Sequence, residues 1–230
     1  MNSYLFNDFE RITHKVWKQK IQADLKGLDY NDNLLWKTSD GIVVKPFYTK
    51  EDRTGQEILT SENNFNICQT IFVDKEDIAN GLAKDALLRG ANAIEFEANN
   101  EFDFRVLLKN INTKEISIFF KLNFLAPDFI KELASFVNSQ NLFFNIDTIG
   151  NLAKTGNWFF NLKEDHKKFE EIITAIRNSI CVNASTYQNA GANIVQQLAY
   201  ALAHANEYLN NFGATAAAKI HFNFSIGSNY

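Results

Sequence analysis

Residues Ile180 to Gly213 read ICVNASTYQNAGANIVQQLAYALAHANEYLNNFG: a short apolar run, a polar glycine-bearing turn, then a long amphipathic segment. This is the pattern of a buried strand that turns into a helix, and α/β proteins place their chemistry at such turns. The strand is expected over Ile180 to Thr186. In the helix, Ile194, Val195, Leu198, Leu202, Ala205, Leu209 and Phe212 fall on one apolar stripe, and Gly213 supplies its stop.

The same unit recurs outward from this stretch. Apolar runs at Ile67 to Val73, Ala93 to Ala98, Ile116 to Asn123, Leu142 to Thr148 and Ile220 to Ile226 bring the expected strands to six. Helical patterns separate them. Asp74 is placed to cap a helix carrying Ile78, Leu82 and Leu87 that stops before Gly90, and another helix is expected around Phe102 to Asn110. Pro127 opens a third, with Phe129, Ile130, Leu133, Phe136 and Val137 on one face. A glycine-containing excursion from Asn151 to Trp158 precedes a fourth, whose inward face is Phe169, Ile172, Ile173 and Ile176. Alternating strands and helices imply a parallel sheet, because a parallel crossover needs a dozen or more residues. A doubly wound sheet and a (β/α)8 barrel both satisfy this. The missing glycine-rich phosphate turn disfavours the first.

The N-terminal part differs. From Thr13 a helix carries Trp17, Ile21 and Leu25 and ends at Gly27; a strand, an Asp40-Gly41 turn and a second short strand follow. Between Thr49 and Asn66 polar residues dominate and periodicity fades, which reads as a long loop. The expected division is residues 1–65 as helix, arm and linker, and residues 66–230 as the β/α domain.

Composition narrows the function classes. The 230 residues are 46% hydrophobic and 22% charged, enough for one large core. A net charge of -4 and a sequence pI near 5.6 leave no basic footprint for nucleic acid or anionic membranes. Lys163, Lys167 and Lys168 alternate with Glu164, Asp165 and Glu170, as on a solvated helix face. Cys68 and Cys181 sit singly in apolar runs, fitting a reducing compartment. With no signal-peptide pattern and no apolar run long enough to span a bilayer, a cytoplasmic protein is expected. His14, His166, His204 and His221 are scattered and suggest no metal site. There is no GxGxxG, Walker A lysine or GxSxG.

Particular segments resemble the methylmalonyl-CoA mutase family. VWKQKIQADLKGLDYNDNLLWKTSDGIVVKPFY, Val16 to Tyr48, is similar to its W-x-x-x-x-x-x-D-L-K-G helix and E-G-I-x-V-x-P-x-Y arm. STYQNAGAN, LAYALAHANEYL and FSIGSNY resemble its G-Y-H-M-Q-E-A-G-A, L-A-Y-T-L-A-D-G-x-E-Y-L and W-G-I-G-M-N-F segments. The resemblance implies a TIM-type (β/α)8 barrel preceded by an extended N-terminal arm; with six expected strands, the barrel is truncated two units short. It also implies an adenosylcobalamin-dependent isomerisation of methylmalonyl-CoA and succinyl-CoA, with the acyl-CoA arm threading the barrel. The cobalamin sits on a D-x-H-x-x-G motif that these residues lack.

At the family's functional positions this chain differs. Its first barrel strand carries R-P-W-T-I-R-Q-Y; here Asn63 and Cys68 stand at the arginine positions and Thr70 at the tyrosine. After strand five, Ser185 and Thr186 replace the tyrosine and histidine of G-Y-H, while Gln188, Ala190, Gly191 and Ala192 remain. Asn and Cys lack the charged bidentate fork that binds carboxylate or phosphate, and small hydroxyls cannot replace a phenol or imidazole.

The resemblance therefore implies a non-catalytic small subunit, whose partner is a large catalytic subunit holding the adenosylcobalamin. This chain itself is expected to bind no cofactor. Gln188 and Asn189 are the remaining substrate-binding candidates. Trp17, Trp36, Pro46, Phe47 and Tyr48 are the expected interface, as aromatic anchors; packing onto their own barrel is the competing use. An active acyl-CoA mutase of altered specificity and a stand-alone CoA-ester-binding barrel are the alternatives. A further expectation is that some of Phe119, Phe120, Phe143, Phe144, Phe222 and Phe224 fill the bore.

Overall fold

The computed structural model describes residues 9–10, 12–39, 41–53 and 65–227. The chain divides between residues 63 and 64 into two compact units. In the first, α1 (His14–Asp24) starts where the Thr13 hydroxyl accepts from the Val16 N–H. Gly27 then takes φ +93°, the left-handed conformation that ends the turn. A short helix α2 (Tyr30–Leu34), capped by Asp29, leads into an antiparallel pair of β1 (Trp36–Lys37) and β2 (Val43–Val44). Asp40 lies outside the described residues, as does the part of the expected loop from 54 to 64. The start of that loop is ordered by a 3-10 turn, Lys50–Asp52, where Asp52 accepts from the Thr49 N–H and pairs with Lys45 at 2.8 Å.

The second unit is α/β. Its strands β3 (Cys68–Phe72), β4 (Ala93–Ala98), β5 (Ser117–Leu122) and β6 (Leu142–Asn145) form a parallel sheet in sequence order, and β7 (Ile180–Asn183) and β8 (Ile220–Asn223) form a parallel pair. Between β6 and β7 two backbone bonds run in the parallel sense: Phe144 N–H to Asn178 C=O at 2.9 Å and Cys181 N–H to Ile146 C=O at 3.1 Å. The next ladder position is taken by a side chain, because the Asn183 N–H donates to Asp147 Oδ2. Each strand thus neighbours the one that precedes it in sequence, without the order reversal of a doubly wound sheet.

Helices α3 (Glu76–Leu88), α4 (Phe104–Leu107), α5 (Pro127–Val137), α6 (Thr148–Thr155), α7 (Leu162–Ala175), α8 (Ser185–Asn189) and α9 (Ile194–Phe212) alternate with the strands. The core lies between helices and sheet, where Ile94, Phe96, Ile118, Phe120, Phe144 and Val182 face Ile130, Leu133, Phe169, Ile172 and Tyr208. The strands alternate buried and half-exposed positions, so their two faces differ sharply.

Several sequence expectations need correction. Lys75, not Asp74, occupies the α3 N-cap, and no side chain bonds there. α3 buries Ala79, Asn80 and Ala83 while Ile78 and Leu82 are exposed. Small residues permit close approach to the sheet, and Asn80 donates to the carbonyls of Leu107 and Lys109. The expected helix from Phe102 to Asn110 is a single turn, because Asp103 caps it at one end and Asn110 adopts φ +63° at the other. The excursion at Asn151 to Trp158 is largely α6, which Asp147 caps and Gly156 stops at φ +77°. Strand five ends at Asn183, so Ser185 and Thr186 belong to α8.

The longest helix departs most from its expected stripe. α9 buries Gln197, Ala201, His204, Ala205 and Tyr208, while Ile194 (66%), Val195 (64%), Leu198 (50%) and Leu202 (57%) remain exposed. Phe120 and Phe144 face the helices, and Phe222 and Phe224 stack on that same outer side, half-exposed. Of the six phenylalanines expected in the bore, Phe119 and Phe143 lie on the inner face, stacked at 4.7 Å.

Candidate functional site

On the inner face of the sheet, polar side chains lie beside and above the Phe119–Phe143 stack. Thr70 on β3 donates to Glu95 on β4 at 2.9 Å, and Asn145 on β6 donates to the other Glu95 oxygen at 2.6 Å. Asn145 Oδ1 lies 2.7 Å from His221 Nε2 on β8. Burial pushes the His221 imidazole down to about 4, so it is neutral at pH 7 with Nε2 as the donor. Its Nδ1 is buried and has no partner among the described residues. This chain of side chains links the first described strand of the sheet to the last, across the inner face.

At the C-terminal ends of the strands a cavity of about 570 Å³ opens above that layer. Lys121, Asn123, Asn145 and Asp147 line it from β5, β6 and the segments that follow them. Asn151, Lys154 and Thr155 contribute from α6, Ser185, Thr186 and Asn189 from α8, and Asn183 and Asn223 from β7 and β8. The position is the one α/β folds use for ligands, because successive strand-to-helix turns converge there.

Asp147 organises the wall. It accepts from the Gly150 N–H at 2.7 Å, the Asn183 N–H at 2.9 Å and the Tyr208 hydroxyl at 2.7 Å. His204 Nε2 lies 2.9 Å from Oδ1 without an aligned hydrogen bond, and His204 Nδ1 meets the Tyr187 hydroxyl at 3.0 Å. Burial, with the Asp147 charge added, pushes the Tyr208 phenol well above its ordinary range, and the same two causes raise Tyr187. Both phenols therefore stay protonated. At the cavity wall, then, stands a partly buried Tyr187–His204–Asp147–Tyr208 chain that ties β6, α6, α8 and α9 together.

The sequence-selected residues fall in different places. Thr70 faces inward but is committed to Glu95. Cys68 begins the same strand, and burial together with the Glu95 charge pushes its thiol up to about 11, so it carries no thiolate at neutral pH. Asn63 lies outside the described residues. Ser185 donates to Asn183 Oδ1, an amide oxygen that cannot activate it as a base would. Thr186 and Asn189 line the cavity. Gln188 instead holds the chain end: with its amide turned to satisfy both ends, it donates to the Ser225 carbonyl and accepts from the Gly227 N–H at 3.1 Å. In the first unit Trp17, Trp36, Pro46 and Tyr48 are exposed, and Phe47 is half-buried against Trp17 and His14.

Sequence reasoning missed Asp147, His204 and Tyr208. Two signals were available. An Asp before Thr-x-Gly at a strand end is a cap pattern, and His204 and Tyr208 are four apart on one helix face.

Residues 98–230 match the sequence profile of the family described as methylmalonyl-CoA mutase. The chain belongs to the methylmalonyl-CoA mutase family. Two curated mutases align along nearly all of it. The methylmalonyl-CoA mutase small subunit of Porphyromonas gingivalis is 28% identical over 267 aligned residues, covering 98% of this chain and 42% of that protein. A methylmalonyl-CoA mutase of Cereibacter sphaeroides is 23% identical over 285 aligned residues, covering 94% of this chain and 39% of that protein. The chain thus spans well under half the length of these mutase relatives. Among the described residues no helix is long and apolar enough to cross a membrane.

Among the described residues, no histidine is presented to the cavity as a ligand for the cobalamin that the resemblance implies. The two histidines nearest it are held inside: His204 is turned to Tyr187 and Asp147, and His221 has one nitrogen on Asn145 and the other buried.

Proposed function

We propose that the chain is the arm and part of the barrel of a non-catalytic small subunit in a heterodimeric, adenosylcobalamin-dependent methylmalonyl-CoA mutase. It acts in assembly and stabilisation, while a large subunit carries the cofactor and the rearrangement. The observation that carries this reading is the state of the positions that resemble the family's catalytic side chains. Thr70 is bonded to Glu95 and Ser185 to Asn183, and Cys68 is a neutral thiol. None of these presents the charged fork or the phenol expected of a catalytic subunit.

The fold part of the proposal is a TIM-type barrel of which six strands lie here, with residues 1–65 as helix, arm and linker. Two exposed apolar faces support it. Ile78 and Leu82 on α3, next to the first strand of the sheet, and Val195, Leu198 and Leu202 on α9, beside the last, are uncovered. Two further β/α units between β8 and β3 would cover both. Trp17, Trp36, Pro46 and Tyr48 remain the proposed contact with the large subunit, and their exposure leaves them available for it. A reducing, cytoplasmic setting suits the two free cysteines.

Turnover tests the proposal. The full-length subunit alone, given adenosylcobalamin and methylmalonyl-CoA, is expected to form no succinyl-CoA, and adding the large subunit should restore formation. Conversion by this subunit alone would replace the proposal with an active mutase of altered specificity.

A further inference from the structure

We infer that Asp52 is a positioning residue for assembly: it holds the N-terminal arm in one docking-ready shape, so that Trp17, Trp36 and Tyr48 meet the large subunit already arranged rather than ordering on contact. The inference rests on the heterodimer proposed above and goes beyond it to how the contact surface is made. The Asp52 side chain is only 12% exposed and gathers three separate stretches of the arm. Its Oδ1 accepts from Lys45 Nζ at 2.8 Å, and its Oδ2 accepts from the Thr49 N–H at 2.8 Å and the Thr49 hydroxyl at 3.1 Å. His14, at the start of α1, brings its Nδ1 to 3.7 Å from Oδ2. Lys45 and the Thr49 N–H hold the carboxylate down to about 2, so it is charged at neutral pH.

Each of the three rings is referred back to this carboxylate. Phe47 packs against the His14 ring at 5.1 Å and the Trp17 ring at 6.2 Å, which seats α1 on the segment beside Lys45. The Lys45 N–H donates to the Tyr48 hydroxyl at 2.9 Å, and the Lys45 ammonium stands 5.9 Å from the centre of the Tyr48 ring. Trp36 pairs across the β1–β2 ladder with Val44, the residue before Lys45. The rings are held at their roots, yet Trp17 is 47%, Trp36 59% and Tyr48 59% exposed. Held but uncovered aromatic rings make strong interface anchors, because they offer large area and lose little conformational freedom on contact. A segment that must order as it binds loses affinity to that ordering. The partner surface such an arm fits is one of set shape, with an apolar recess for each ring.

Amide hydrogen exchange on the free full-length subunit, with calorimetric titration of that subunit into the large subunit, tests the inference. In the free subunit the Lys45 and Thr49 amides are expected to be protected, and Asp52→Ala should speed their exchange about 10-fold or more. The same variant should bind the large subunit about 10-fold more weakly, because only the ordered fraction of arms is competent. Asp52→Asn, which keeps an acceptor for Thr49 but loses the charge that holds Lys45, should fall between. Glu51→Gln removes the same charge from the same turn without touching these bonds, and should bind like the parent. Trimethylamine N-oxide favours folded segments, so it should narrow the gap between Asp52→Ala and the parent. It should leave the gap between Trp36→Ala and the parent in place, since that variant loses a contact rather than order. Rapid exchange of both amides in the free parent, parent-like binding by Asp52→Ala, or a gap for Asp52→Ala that the osmolyte leaves unchanged would overturn the inference while the heterodimer stands. A parent subunit that binds no large subunit would instead overturn the heterodimer itself, and this inference with it.

Discussion

Asp147 shows how one residue can decide local structure in three elements. As the residue before α6 it caps that helix, as an acceptor for the Asn183 N–H it substitutes for a ladder bond, and as the partner of Tyr208 it seats α9. Gly150 exists on its account: a Cβ there would collide with the Asp147 carboxyl. Gly150→Ala is therefore expected to destabilise the fold by about 2 kcal/mol or more, measured by urea unfolding, where an unchanged midpoint would contradict the network. His221 gives a pH prediction with a definite sign. Its folded value is lowered from 6.5 to about 4, so the unfolded chain binds the proton more readily. Its contribution is then fully present above 6.5 and lost as pH falls toward 4, by at most ~3 kcal/mol for a largely buried ring. His221→Gln should flatten that slope in unfolding experiments run between pH 7 and pH 4.

At the scale of elements, what was legible followed periodicity, and what was not depended on tertiary choice. α7 buries Phe169, Ile172 and Ile173 as its spacing demands, and α5 buries Ile130, Leu133 and Val137. α9 offers two stripes, and the more apolar one is covered only at its C-terminal end, at Ala205, Leu209 and Phe212. The sheet takes the face with Ala201 and Ala205, which permit close approach, and with Gln197, His204 and Tyr208, which satisfy polar groups behind the cavity. No local rule ranks a stripe containing His and Gln above one of Ile, Val and Leu, because the reason is a partner far along the chain, Asp147. The cavity was legible only as a location, the turn after Asn183; its wall needed the fold. Leu198→Glu should shift the stability of this chain by no more than about 0.5 kcal/mol, whereas Ala201→Leu should cost about 1–3 kcal/mol through overpacking. Equal effects of the two substitutions would contradict the observed orientation of α9.

For the molecule as a whole, two features lead to the same reading of its role. The inner face is crossed by a hydrogen-bonded chain of side chains, and Thr70 and Ser185, at positions resembling the family's catalytic groups, are engaged with their neighbours. Meanwhile apolar surface is left on α3, on α9 and on the aromatic residues of the first unit, which suits a protein whose work is contact. Family membership alone does not separate catalytic from non-catalytic subunits; the altered side chains at those positions do that, and they do so as a proposal to be measured. The direct measurement is the mass of the native assembly. Full-length protein, affinity-tagged at its chromosomal locus and isolated from its own cells, is predicted to elute as a one-to-one complex with a larger methylmalonyl-CoA mutase chain. Elution alone, as a monomer or homo-oligomer with no larger mutase chain present, would contradict the account.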